Sequence, residues 1–204
     1  ILIKGGIVMI PLALCSVAAI AILIERLITL RKLRINTDSF VLQIKNMLLR
    51  RRIDDALQLA QQTRGPIASI TIAGLSKHNR PREEIKDSIE GAAKSQIYHI
   101  ERYLGILGTI AAVAPLIGFL GTVTGMIKAF MQVQNLGGSV DASVLAGGIW
   151  EALISTAAGL TVGIPALIFY NWLQAKVEHF VFEMQETSTD LMDTLLEQEN
   201  PNEY

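Results

Sequence analysis

Glu151 stands in "GIWEALISTAAGL", residues 148–160, and is the only charged residue between positions 145 and 173. Ser155 and Thr156 follow within two turns if the segment is a helix. A run of that length and polarity reads as membrane-spanning. A charge near mid-bilayer costs about 2.5–3.5 kcal/mol on insertion scales, and such residues usually face protein or water. Hydroxyls beside it can hold water or a carboxyl group without carrying fixed charge. Glu151 is the seventh residue of its run, about 9 Å in from the near end at helical rise. Lys128, at the end of the preceding apolar run, sits at comparable depth. Two readings follow, a Lys128–Glu151 ion pair between adjacent helices and a pore-facing carboxylate, and the two can coexist. Ser155 shares the helix face of Glu151, whereas Thr156 lies about 140° around the axis.

The neighbouring apolar segment, "LGILGTIAAVAPLIGFLGTVTGMIKAF", brings small residues round to one face: Ala111, Pro115, Gly118, Thr122, Gly125 and Ala129. The later one repeats the device with Gly148, Ala152, Ser155, Gly159, Val162 and Ala166. Lipid does not select such faces, but close approach of another helix does. Thr122 lies where a partner can reach it. Thr109, Thr124 and Thr161 are expected to bond back to the carbonyl four residues earlier. Pro115 and Pro165 are expected to bend their helices. Trp150, Tyr170 and Trp172 fall near span ends, as interfacial aromatics should.

Three elements must position these groups. The 204-residue chain is 50% hydrophobic and only 18% charged, against roughly 25% charged in soluble domains. Residues 5–24 and 104–127 are free of charge, and 145–173 holds Glu151 alone. Each is long enough to cross a hydrocarbon core of about 30 Å. The first is expected to be a retained anchor rather than a cleaved signal, despite the small residues around Ile20. Its apolar run exceeds a signal core of about 7–15 residues, and most positive charge follows it. Of 18 Lys and Arg, fifteen lie between Arg26 and Arg102 and none between 131 and 144. The positive-inside rule places the N-terminus outside and the C-terminus inside. The expected organisation is a first span (1–24), a cytoplasmic helical domain (25–103), a second span (104–130), an outer loop (131–144), a third span (145–173) and a cytoplasmic C-terminal helix (174–204).

The polar segment carries helix punctuation at Asn36-Thr37-Asp38, Arg64-Gly65-Pro66 and Asn79-Arg80-Pro81. From Pro81 one helix is expected to rise into the second span, with Gly91 as its weak point. Val177, Phe180, Met184, Leu191 and Leu195 give the tail an apolar stripe suited to packing among cytoplasmic helices. No phosphate loop, nucleophile–base set or ligand spacing appears, and the lone Cys15 excludes an internal disulfide. No cofactor or metal is expected, and no enzyme. The net charge of −1 gives no sign of nucleic acid.

The two segments "AVAPLIGFLGTVTGMIKAF" and "GIWEALISTAAGLTVGIPALIFYN", with Glu25-Arg26-Leu27 closing the first span, resemble the membrane segments of the MotA/TolQ/ExbB proton-channel family. Three spans match its ExbB/TolQ branch rather than the four-span flagellar stators. The resemblance implies an all-α polytopic subunit of the bacterial inner membrane, assembled as a pentamer. The ring would surround a dimer of a single-span ExbD/TolR-like partner whose helix bears one aspartate, and work would pass to a TonB/TolA-like transducer. Carried over by motif position, Thr122 and Thr156 line the lumen and Glu151 is functionally important. Thr124 stands where relatives often have tryptophan. This chain has no aspartate in its spans, so the proton-carrying acid should come from the partner. The alternatives are a non-conducting membrane scaffold in which Lys128 and Glu151 merely pair, and a secondary transporter, for which three spans without an inverted repeat leave little room.

Overall fold

The computed structural model describes residues 6–33, 37–135 and 142–199, the side chains of 142–144 and 196–199 excepted. Lys4, Asn36, residues 136–141 of the expected outer loop and the last five residues lie outside that description. The described chain is all α-helix: α1 (Met9–Leu33), α2 (Thr37–Leu49), α3 (Ile53–Gln62), α4 (Pro66–Leu75), α5 (Arg82–Glu101), α6 (Leu104–Asn135) and α7 (Ala142–Glu199). Three helical stretches are long and apolar enough to cross a membrane; they contain α1, α6 and the first half of α7. Two compact units result, one of Ile1–Arg26 with Tyr103–Leu173 and one of Leu27–Arg102 with Gln174–Tyr204.

The first unit is built inside out relative to a soluble domain. Where α6 meets α7 its buried face is made mostly of small residues, and many of its large apolar side chains point outward: Ile10, Leu14 and Val17 on α1, Leu116, Phe119 and Leu120 on α6, Leu153, Ile164 and Ile168 on α7. In water such a surface would aggregate; in hydrocarbon it carries no penalty. α1 joins α6 and α7 through Met9 and Leu12, which pack on Ala114 with Val8, Ile117, Ala158 and Val162 around them. At the other end of the unit Arg26 is 3% exposed. Glu25 accepts from its Nε at 2.5 Å and from its Nη2 at 2.6 Å, and its guanidinium lies 5.6 Å from the Tyr103 ring centroid. A buried guanidinium needs such partners, since one left uncompensated costs several kcal/mol.

The second unit is an ordinary helical bundle. α2 buries Phe40, Ile44 and Leu48 on one stripe, and α4 is buried almost throughout. The α7 stripe expected to pack does so: Val177, Phe180, Met184, Leu191 and Leu195 are all buried. Gly74 of α4 marks the closest approach, for a Cβ there would lie 2.9 Å from Leu191 and 3.0 Å from Ile89. Thr37 Oγ1 donates to Glu183 at 3.3 Å, and Ser88 Oγ to the Ala73 carbonyl at 3.1 Å. Gly65, at φ +131°, makes the turn into α4, with Pro66 in its first turn.

Two local features depart from the sequence reading. The helix expected to run unbroken from Pro81 stops at Glu101, and α6 begins at Leu104. Tyr103 between them is left-handed, φ +67°, which costs a non-glycine residue about 1–2 kcal/mol. The Arg26–Tyr103 contact accompanies this break, a tertiary interaction that no local pattern signals. A second unforeseen break separates α2 from α3 at Arg51, also left-handed at φ +55°. Gly91, by contrast, does not interrupt α5, and a Cβ there would meet nothing within 4 Å. Gly91→Ala is therefore expected to stabilise the protein by about 0.5–1 kcal/mol through the unfolded chain's lost freedom. Denaturant unfolding in detergent would show the gain, and a loss would mean that α5 is not helical there.

Candidate functional site: the α6–α7 seam

α6 and α7 run antiparallel at near-backbone contact, each turn of one meeting a small residue on the other. Reading up α7, Gly148 meets Ala129, Ala152 meets Gly125, Ser155 meets Gly121, Gly159 meets Gly118 and the Ala114 carbonyl, and Gly163 meets Pro115. A Cβ on Gly118 would stand 2.8 Å from the Ser155 carbonyl oxygen and 3.0 Å from Gly159 Cα. Both proline-bearing helices continue through Pro115 and Pro165. Three contacts were not singled out in the sequence: Gly121, Gly163, and Gly108, on which the Tyr170 ring lies. Gly121 and Gly163 follow Gly118 and Gly159 by three and four residues, so the small-residue rule would have found both.

At the middle of this seam the hydroxyls of Thr122 and Thr156 hydrogen-bond to each other. Thr122 Oγ1 also reaches the Ala152 carbonyl at 3.1 Å, and Thr156 Oγ1 the Gly118 carbonyl at 3.2 Å. Two hydroxyls own two protons between them. One order has Thr156 donating to Thr122 and Thr122 to Ala152; the other has Thr122 donating to Thr156 and Thr156 to Gly118. The pair can be hydrogen-bonded in either order; it is half-buried and carries no charge. Ser155, buried, is held by the Ala152 carbonyl at 2.7 Å and the Gly118 carbonyl at 3.3 Å. Its hydroxyl serves the helix contact. Thr109, Thr124 and Thr161 each donate to the carbonyl four residues back.

Glu151 lies apart from this pair, half-buried. Its Oε1 is 2.6 Å from where a Cβ on Gly6 would stand. Among the described residues no hydrogen bond joins it to Thr122 or Thr156. The Lys128–Glu151 pair does not form within the chain: none of the ion pairs among the described residues involves either group, and Lys128 is exposed. Similar depth on two helices fixes height, not direction. A cleft of about 670 Å³ runs between α1 and α7, lined by Met9, Leu12, Ser16, Trp150, Ala157 and Thr161. Neither Thr122 nor Thr156 opens on it.

Long apolar helices with outward-facing large side chains, joined by a small-residue seam that holds a hydroxyl pair, define a multi-pass helical membrane protein. The chain belongs to the MotA/TolQ/ExbB proton channel family, whose model matches residues 62–186. It is 36% identical over 174 residues to a putative biopolymer transport protein ExbB-like 1 of Synechocystis sp., covering 83% of this chain and 68% of that protein. It is 31% identical over 169 residues to the ExbB-like 3 protein of the same organism, covering 82% and 80%. Against biopolymer transport protein exbB1 of Vibrio cholerae it is 30% identical over 183 residues, covering 83% and 78%. The family match begins at residue 62 and so leaves α1 outside it.

Proposed function

We propose that this chain is the ring-forming, proton-conducting subunit of a motor in the bacterial inner membrane, driven by the proton-motive force. In this reading it is oriented N-out and C-in and assembles as a pentamer. The ring surrounds a dimer of an ExbD/TolR-like single-span partner and energises a TonB/TolA-type process at the outer membrane. The observation that carries the reading is the Thr122–Thr156 pair, a hydrogen-bonded hydroxyl couple at the centre of a membrane-embedded seam, in a chain of a proton channel family. Its hydroxyls can exchange a proton with a carboxyl on the partner helix while remaining neutral, so no charge need be desolvated on the ring side. The relatives' names supply biopolymer transport as the work performed. One proton crossing about 100 mV supplies about 2.3 kcal/mol, enough to step one packed helix against another. A non-conducting scaffold drew its support from a Lys128–Glu151 pair, which the chain does not make.

The test is reconstitution with and without a single-span, aspartate-bearing partner in vesicles holding an imposed potential. Proton entry is expected only with the partner present and only with its aspartate intact. Absence of partner-dependent entry, in a complex shown to be assembled, would overturn the proposal.

A further inference from the structure

We propose that the amino-terminal turn of α1 is the seat of the Glu151 carboxylate, and that this contact holds the end of α1 against α7. The coupling of this contact to proton passage rests on the function proposed above; the contact itself does not.

Gly6 adopts φ +72°, where glycine is unstrained, and the chain turns there into α1. Met9 N donates to the Gly6 carbonyl and Ile10 N to that of Ile7, both at 3.2 Å. The N–H groups of Ile7 and Val8, at the open end of the helix, donate to no acceptor among the described residues. This is the positive end of a 25-residue helix, equivalent to roughly half a unit charge. Against it lies Glu151, whose Oε1 and Cδ are 2.6 Å and 3.6 Å from the place a Gly6 side chain would begin. One residue thus meets two independent demands, a left-handed backbone and an absent Cβ.

No described charge competes for the carboxylate. α6 offers Lys128, exposed and making no ion pair with Glu151. α7 carries no other charged residue between 145 and 175, and α1 none before Glu25. Lys4 lies outside the described residues. The same turn leads into Met9 and Leu12, which pack on Ala114 and, through it, against Ala158 and Val162 of α7. Loosening the turn therefore loosens the grip of α1 on both helices of the seam. A change of charge shifts such a docking equilibrium only by its differential interaction with the two positions, and the helix end supplies that difference.

Hydrogen exchange of the full chain in lipid nanodiscs reads the contact without any proton-motive force. Glu151→Gln is expected to speed exchange over residues 7–12 at least fivefold and to leave 153–160 unchanged. Gly6→Asn, which tolerates the left-handed backbone but sets a Cβ against the carboxylate, is expected to do the same with Glu151 intact. The double variant should add nothing further. Unchanged exchange over 7–12 in both single variants overturns the proposal. So does Lys4→Gln reproducing the effect, because Glu151 would then be seated on an ammonium group and not on the helix end. If vesicles show no partner-dependent proton entry while the exchange pattern holds, the motor reading fails and the seat stands; the reverse result leaves the motor without this device.

Discussion

Thr156→Val is expected to cut proton-driven work at least tenfold while leaving the protein folded and assembled. Valine keeps the shape of threonine and deletes the hydroxyl, so the seam still closes but the pair loses one of its two protons. Two magnitudes separate this outcome from a general loss of stability. A neutral hydrogen bond contributes about 1 kcal/mol to folding, a small part of a stability of about 5–15 kcal/mol. The same loss placed at a proton-transfer step multiplies the rate, each 1.36 kcal/mol being about tenfold. Thr122→Val is expected to match it, because Thr122 is the other half of the pair. The double variant should be no worse than either single one, as groups that act as a unit are non-additive. Thr156→Ser retains a hydroxyl and should keep most of the activity. Partner-dependent proton entry in vesicles, together with the size of the purified assembly, measures all four. Additive losses in the double variant, or full activity in Thr156→Val, would remove the pair from the proton path.

What the sequence could reveal here follows from which properties are local. The spans were legible because hydrocarbon thickness imposes a length and a polarity, and residues 104–127 and 145–173 satisfy both. The faces of α6 and α7 were legible because close approach admits only small side chains at steps of three and four. Direction and register were not. Lys128 and Glu151 have similar depth on adjacent helices, but their azimuth depends on which residues the seam interlocks, and the two make no ion pair. That Thr122 meets Thr156, and that Ser155 is spent on the helix contact, likewise follows from the register set by Gly118 against Gly159. The breaks at Arg51 and Tyr103 contain neither glycine nor proline, so the usual punctuation rules are silent there. The approach of Gly6 to Glu151 joins positions 145 residues apart in sequence, beyond the reach of any local rule.

Gly159→Val should be the most damaging single substitution in the seam. A Cβ on Gly159 would lie 2.7 Å from the Ala114 carbonyl oxygen, 2.9 Å from Gly118 Cα and 3.1 Å from Gly118 N. All three are backbone atoms of α6, so no side-chain rotation can make room, and the helices must part. Overpacking of a fitted contact costs about 1–3 kcal/mol, occasionally more, and the upper end applies where only backbone can move. Gly118 belongs to the same contact and carries the carbonyl that Thr156 reaches, so the hydroxyl pair is pulled apart with the helices. Gly159→Val is therefore expected to lower the unfolding temperature and also to abolish proton entry, whereas Thr156→Val removes entry alone. Gly147 supplies the control within α7: a Cβ there would meet nothing within 4 Å, and Gly147→Ala should leave both quantities within error of wild type. If Gly159→Val unfolds at the wild-type temperature, the two helices are not in backbone contact at that turn. The register that brings Thr122 to Thr156 would then be wrong, and with it the geometry on which the pair depends.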